Sequence, residues 1–194
     1  MNRNMKKQSG YTLIELMVTV AVAIIVLAVG IPAYDSMMAN NRAISQANMF
    51  RAALNMARAE ALGRNLPVTL IATNGDWTDG WSVYVEDVYQ TDGFSKLGTQ
   101  ESTENTVKVW GALETGSIVN TNIKSGGPAN DLTALTFTGL GEIVGGDAVN
   151  FEFSQTGSKG AQERCFCVNS VGQIRSHKAA DDPCGTSGAN CLAD

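Results

Sequence analysis

The sequence predicts an α+β protein: a long N-terminal helix, transmembrane in its first half and amphipathic in its second, packed on a mainly antiparallel β C-terminal domain. Three observations carry this. The chain is uncharged from Leu16 to Tyr34. Beyond Pro32, apolar residues recur at intervals of three or four in most steps, the period of an amphipathic helix. From residue 67 onward, short runs of β-forming residues alternate with glycine-rich stretches, the pattern of strands and turns.

Residues 1–10 form a short polar leader that carries Arg3, Lys6 and Lys7. Positive charge ahead of an apolar helix favours a cytoplasmic N-terminus. The segment from Tyr11 to Tyr34 would extend about 36 Å as a helix, enough to cross the hydrocarbon core of a bilayer. Glu15 is the lone charge inside it. A carboxylate at that depth is costly unless it is paired or led to the interface. In the amphipathic continuation, Met37, Ile44, Ala47, Phe50, Leu54, Ala57 and Ala61 mark the apolar face, with Asp35, Arg42, Arg51 and Arg58 interspersed. Gly30 and Pro32 predict a bend, since glycine tolerates unusual angles and proline removes an amide donor. Gly63 offers a stop, so one helix covers residues 12–62, near 75 Å in extent, within a helical unit of residues 11–62.

Residues 63–194 are enough for a modest core of their own. Strands are expected at Pro67–Thr73, Trp81–Val88, Thr106–Trp110, Leu132–Phe137, Val149–Phe153 and Arg164–Val168. Asn74–Gly75–Asp76 and Asp79–Gly80 read as turns, and Gly111–Ala129, poor in periodicity, as a long connection. Strand alternation places Trp81, Val83 and Val85 on one side and Ser82 and Tyr84 on the other, with Trp77 closing the edge of the core.

The N-terminal pattern K-K-Q-S-G-Y-T-L-I-E-L, followed by the uncharged stretch ending near Pro32, resembles the start of type IV prepilins and type II secretion pseudopilins. The segment D-W-T-D-G-W-S-V-Y-V at Asp76–Val85 and T-F-T-G-L-G-E-I at Thr136–Ile143 resemble the pseudopilin H and minor-pilin T/U group within that family. The resemblance implies cleavage by a prepilin peptidase after Gly10 and methylation of the new N-terminus at Tyr11, where phenylalanine is more usual. It implies that Glu15 helps to enter and register the subunit in a growing filament. Cleavage would supply its counter-charge, the α-amino group of Tyr11 or of a neighbouring subunit. The implied partners are the peptidase, the major and other minor pilins, and the inner-membrane assembly machinery. The implied location is the bacterial inner membrane, single-pass with a cytoplasmic leader and a periplasmic C-terminal domain, and then a pilus or pseudopilus.

Cys165, Cys167, Cys184 and Cys191 all fall in the last thirty residues. With the leader inside, they face an oxidising periplasm, where disulfides persist. Cys165 and Cys167 would lie on one face of a strand, so each pairs more naturally with the later loop than with the other. Cys165–Cys184 with Cys167–Cys191 and the crossed arrangement both remain open. Closing a loop of about twenty residues stabilises by about 3 kcal/mol in the chain-entropy account. Zinc is the lesser alternative, because C-x-C followed by C-x6-C is a weak metal spacing.

The formal net charge is −5, and loss of three of the 14 Lys and Arg with the leader would leave 11 against 19 acids, a net −8. That opposes attraction of the whole domain to nucleic acid and leaves room for a local patch. Arg164, Arg175, His177 and Lys178 form such a run. The segment Gly172–Arg175 resembles a diminished form of the basic motif in DNA-binding T-type minor pilins, with Gln173 where another base would strengthen it and Asp181 and Asp182 close by. Weak DNA contact is thus one expectation and a salt-bridged pilin surface the stronger one. No catalytic residue, metal site or cofactor is expected: His177 is the sole histidine, and neither a nucleophilic-serine motif nor a phosphate-binding glycine loop occurs at a strand–helix junction. The expected function is that of a minor type IV pilin contributing to pilus assembly or initiation. The rivals are the minor pseudopilin H of a type II secretion system and a DNA-binding minor pilin of DNA uptake.

Overall fold

The computed structural model describes residues 11–86, 105–123, 132–156 and 164–178. Helix α1, Leu13–Arg64, is a single 52-residue element. Thr12 caps its start by accepting a hydrogen bond from the Glu15 amide at 3.3 Å. Its end differs from expectation. The helix runs through Gly63, and the left-handed residue that terminates it is Asn65, at φ 53° and ψ 37°. Asparagine is the commonest non-glycine residue in that conformation, so it takes the role expected of glycine. Gly30 and Pro32 lie inside the continuous helix, so any give they confer would be a bend of one element rather than a break between two.

Eight strands follow: β1 Val68–Ala72, β2 Trp81–Val85, β3 Asn105–Trp110, β4 Ser117–Ile123, β5 Ala134–Phe137, β6 Val149–Gln155, β7 Arg164–Val168 and β8 Ile174–Lys178. They form two antiparallel four-stranded sheets, ordered β3-β2-β1-β5 and β4-β6-β7-β8. Two strands correct the sequence reading. Ser117–Ile123, within the supposed connection, pairs with β6 along its whole length. Ile174–Lys178 forms a hairpin with β7 through the turn at Ser170–Gly172.

The second half of α1 packs against strands of both sheets. Its buried face is mostly alanine, at Ala43, Ala47, Ala53, Ala57 and Ala61, interrupted by the larger Phe50 and Leu54. Small side chains let the backbone of the helix approach the sheets, and the two large ones fill the space between. Met37, read from sequence as part of this face, is exposed. Phe50 lies at the centre of the core. Its ring meets Trp77 and Trp81 edge-on at 5.3 and 5.1 Å, and Phe151 and Phe153 at 4.7 and 5.0 Å. Trp81 belongs to the first sheet and Phe151 and Phe153 to the second, so one helical residue joins all three layers.

The turn chemistry before β2 is as the sequence suggested. Asn74 and Gly75 adopt positive φ, and Gly80 sits at φ 104°. A Cβ on Gly80 would lie 2.4 Å from the Trp110 carbonyl oxygen, so no other residue fits between β2 and the end of β3. Trp81, Val83 and Val85 join the core, as does Trp77, whose indole N–H donates to the Leu132 carbonyl at 2.6 Å. The opposite face of this sheet holds a buried polar cluster of Thr69, Thr136 and Glu86. Thr69 donates to the Glu86 carboxylate and shares a 2.6 Å contact with Thr136.

Candidate functional site

The first half of α1 is a long apolar surface without a partner among the described residues. Every described side chain from Tyr11 to Asp35 is exposed, including Leu13 at 78% and Leu27 at 58%. Each large aliphatic side chain left in water forgoes about 1.5–3 kcal/mol. A run of this length is therefore stable only in lipid or against other apolar helices. It is the one helix among the described residues long and apolar enough to cross a membrane.

The chemistry at its N-terminus is built from Tyr11, Thr12 and Glu15. Gly10 lies outside the described residues. The first-turn amides of a helix lack internal acceptors, and an unmet N–H is costly in a bilayer. Thr12 meets one of them at Glu15, and the Thr12 carbonyl accepts from Leu16 at 3.2 Å. Glu15 thus occupies the third helical position, where a carboxylate also interacts favourably with the helix dipole. The Thr12-x-x-Glu15 spacing is a capping-box pattern, and that signal could have identified Thr12 from sequence.

Polar contacts at both ends fasten the second half of α1 to the head. At its near end, Arg42 pairs with Glu114 at 2.9 Å, and the Gln46 amide donates to the Ser117 hydroxyl at 2.8 Å. The ion pair is exposed on both sides and contributes at most about 1 kcal/mol. At the far end, Arg58 donates from Nε to the Gly141 carbonyl at 3.1 Å and from a terminal nitrogen to the Val171 carbonyl at 3.0 Å. Gly141 and Val171 lie on turns from different sheets, which also join where the Ile143 amide donates to the Ser170 carbonyl at 3.0 Å. Gly172 makes the approach feasible: a Cβ there, at φ +75°, would sit 1.9 Å from the Gly141 oxygen. Nothing in the linear sequence tied Arg58 to either turn.

Cys165 and Cys167 lie on the face of β7 opposite the core residues Phe166 and Val168, and both are disulfide-bonded. No described cysteine is free. Cys184 and Cys191 lie outside the described residues.

Arg164 and Arg175, the two basic positions whose side chains are described, lie on different faces of the β7–β8 hairpin. The β7–β8 register pairs Cys165 with His177 and Cys167 with Arg175, whereas Arg164 pairs with Lys178. Successive strand residues point to opposite faces, so Arg175 lies on the cysteine face and Arg164 on the helix-facing side. Arg164 is half-buried in register with Phe153, and its Nε is enclosed without a hydrogen-bond partner. Arg175 is exposed. Among the described residues, no group of three or more His, Cys, Asp or Glu is placed to hold a metal ion.

Residues 46–172 match the family described as type II transport protein GspH, and residues 5–31 match the prokaryotic N-terminal methylation motif. No curated protein matches the chain by sequence. Among solved structures, the type IV minor pilin FimU of Pseudomonas aeruginosa superposes in two crystal forms. The first gives a TM-score of 0.54 at 21% identity, covering 76% of this chain and 95% of FimU. The second gives 0.51 at 21%, covering 74% and 97%. The minor pseudopilin EpsH of Vibrio cholerae gives 0.43 at 14% identity, covering 70% and 94%, and is too distant to bear on the assignment. The FimU likeness is one of fold, whereas the sequence matches reach both the methylation motif and most of the head. With a single N-terminal membrane-spanning helix and a periplasmic β-rich head, the chain belongs to the GspH family and is a minor filament subunit of the pilin and pseudopilin type.

Proposed function

We propose that this subunit is a minor type IV pilin that contributes to the assembly or initiation of a pilus. The division of α1 carries the reading: its first half is apolar and wholly uncovered, and its second is fixed into a head by Phe50 and Arg58. Such a subunit shares its helix with others in a bundle while displaying a head of its own. The prepilin peptidase acts at Gly10 and leaves Tyr11 as the methylated N-terminus. Glu15, with its amide already held by Thr12, offers its carboxylate to an α-amino group and registers the subunit. The partners are major and other minor pilins and the inner-membrane assembly machinery. Cys165 and Cys167 pair with Cys184 and Cys191, which tethers the C-terminal segment to β7. A bend at Gly30 and Pro32 lets the two halves follow different neighbours.

Membership of a family described as type II transport proteins favours a second reading, a minor pseudopilin H of a secretion system. Deleting the gene and scoring two phenotypes separates them. Loss of surface pili, with the chain recovered in sheared filaments, supports the pilus reading. Loss of protein secretion with pili intact replaces it with the pseudopilin reading.

A further inference from the structure

The head carries an exposed apolar cluster at the end farthest from the membrane. Leu140 is 74% exposed, Leu62 51% and Val171 48%. The segments that carry them converge: a Cβ on Gly141, next to Leu140, would lie 3.1 Å from Leu62, and Arg58 ties the Gly141 carbonyl to that of Val171. The Glu60–Arg64 pair, at 2.6 Å, lies on the same last turns of the helix. At the opposite end, where α1 enters the head, Met38, Met49 and Leu113 line an open recess of about 300 Å³, and the Arg42–Glu114 pair lies on its rim. Each end thus offers apolar side chains beside an ion pair, Glu60–Arg64 at one and Arg42–Glu114 at the other, with Arg58 a second cation at the distal end. Met38 and Leu62 are 24 positions apart on one helix, which separates the two by about 36 Å.

We propose that these surfaces bind each other between subunits, the Leu62–Leu140–Val171 cluster of one head seating in the Met38–Met49–Leu113 recess of a second subunit of the same fold. The inference rests on the filament reading above. The bilayer cannot cover the distal cluster, because Tyr34 and Leu62 are 28 residues apart, about 42 Å of helix. The exposed first half of α1 must bundle in parallel with its neighbours once it leaves lipid, so the heads stack along the helix direction. A displacement of about 36 Å brings distal cluster to proximal recess. The contact joins unlike patches, so it propagates instead of closing on itself, as an open filament requires.

The test uses the full chain in the bacterium, with a photo-crosslinking phenylalanine analogue at position 140 and mass-spectrometric mapping of the product. The expected product joins position 140 to the segment of a pilin-fold subunit equivalent to residues 38–49 or 112–114. A crosslink to the apolar first half of another helix, to lipid, to a protein of another fold, or to nothing in filaments that contain the chain overturns the stacking. Absence of the chain from every filament overturns both the stacking and the function proposed above, which distinguishes the two failures. The double variant Leu140→Glu, Val171→Glu changes exposed positions, so near-ultraviolet circular dichroism is expected to be unchanged. Its recovery in filaments is expected to fall about ten-fold or more, the scale of one lost apolar anchor. Recovery at the wild-type level overturns the proposal.

Discussion

Phe50 and Trp81 meet edge to face, ring centroids 5.1 Å apart and planes at 86°. Through this contact the helix grips the first sheet, and the far side of the same phenylalanine ring grips the second. Phe50→Ala is expected to destabilise the head by about 3–5 kcal/mol, the range for deleting a buried aromatic ring. Urea unfolding of the full chain in detergent, followed by tryptophan fluorescence, measures it. Phe50→Leu should lose less, because it keeps the volume and forgoes the ring geometry.

Arg58 predicts a local effect. Arg58→Met keeps much of the apolar stem and removes both charge-assisted hydrogen bonds, at a cost of about 1.5–3 kcal/mol. Gly172→Ala should loosen the same junction from the other side, through the clash with Gly141 and the left-handed backbone. Amide hydrogen exchange is expected to rise first in the turns around Gly141 and Val171. Uniform change across the head would contradict a local clasp.

Processing and registration should separate. Gly10→Ala is expected to block maturation, read as an intact mass that retains the leader. Glu15→Ala should leave cleavage and the membrane span in place while incorporation into filaments falls. Thr12→Val should weaken the cap by about 1 kcal/mol and produce a milder defect than Glu15→Ala. Wild-type incorporation of Glu15→Ala would remove the carboxylate from the mechanism.

Peptide mapping without reduction should recover two intramolecular bonds joining Cys165 and Cys167 to Cys184 and Cys191. Replacing Cys184 and Cys191 by serine is expected to increase proteolysis at the C-terminal end and leave maturation at Gly10 intact. A bond between Cys165 and Cys167 would contradict the assignment.

Binding to DNA, if present, should be weak, insensitive to sequence and lost as salt rises. Arg175→Glu should reduce it more than Arg164→Glu, since Arg175 is exposed and Arg164 is half-buried on the other side of the strand. Equal effects of the two reversals would contradict the split described here.

Elements with strong period or strong punctuation were legible in the sequence. The helix was expected over 12–62 and spans Leu13–Arg64, because its apolar run and its three-to-four spacing are both long. Strand β2 was legible because Asp79–Gly80 turns into alternating Trp81, Val83 and Val85. Strand β4 was not, because Asn120, Thr121 and Asn122 mask its alternation and its pairing with β6 is supplied from thirty residues away. Strand β8 has the same difficulty: Ile174–Lys178 is mostly polar and is recruited by β7. That omission bears on the basic run, since pairing with β7 puts Arg175 and Arg164 on opposite faces of the hairpin. The Arg58 clasp was illegible for a related reason. It joins a helix to two turns 83 and 113 residues away, and a lone arginine on a helix carries no sign of either.

The alanine stripe has a mechanical consequence. A filament under tension pulls each head along its helix, and a face of Ala43, Ala47, Ala53, Ala57 and Ala61 is a smooth rail with little to resist sliding. Phe50 and Leu54 are the barbs on that rail. For the helix to slip by one turn, about 5.4 Å, the Phe50 ring must leave four aromatic neighbours at once. The head therefore bears load in shear chiefly at one aromatic socket near the middle of the grip, with Leu54 and the Arg58 hydrogen bonds beside it, rather than evenly along the contact.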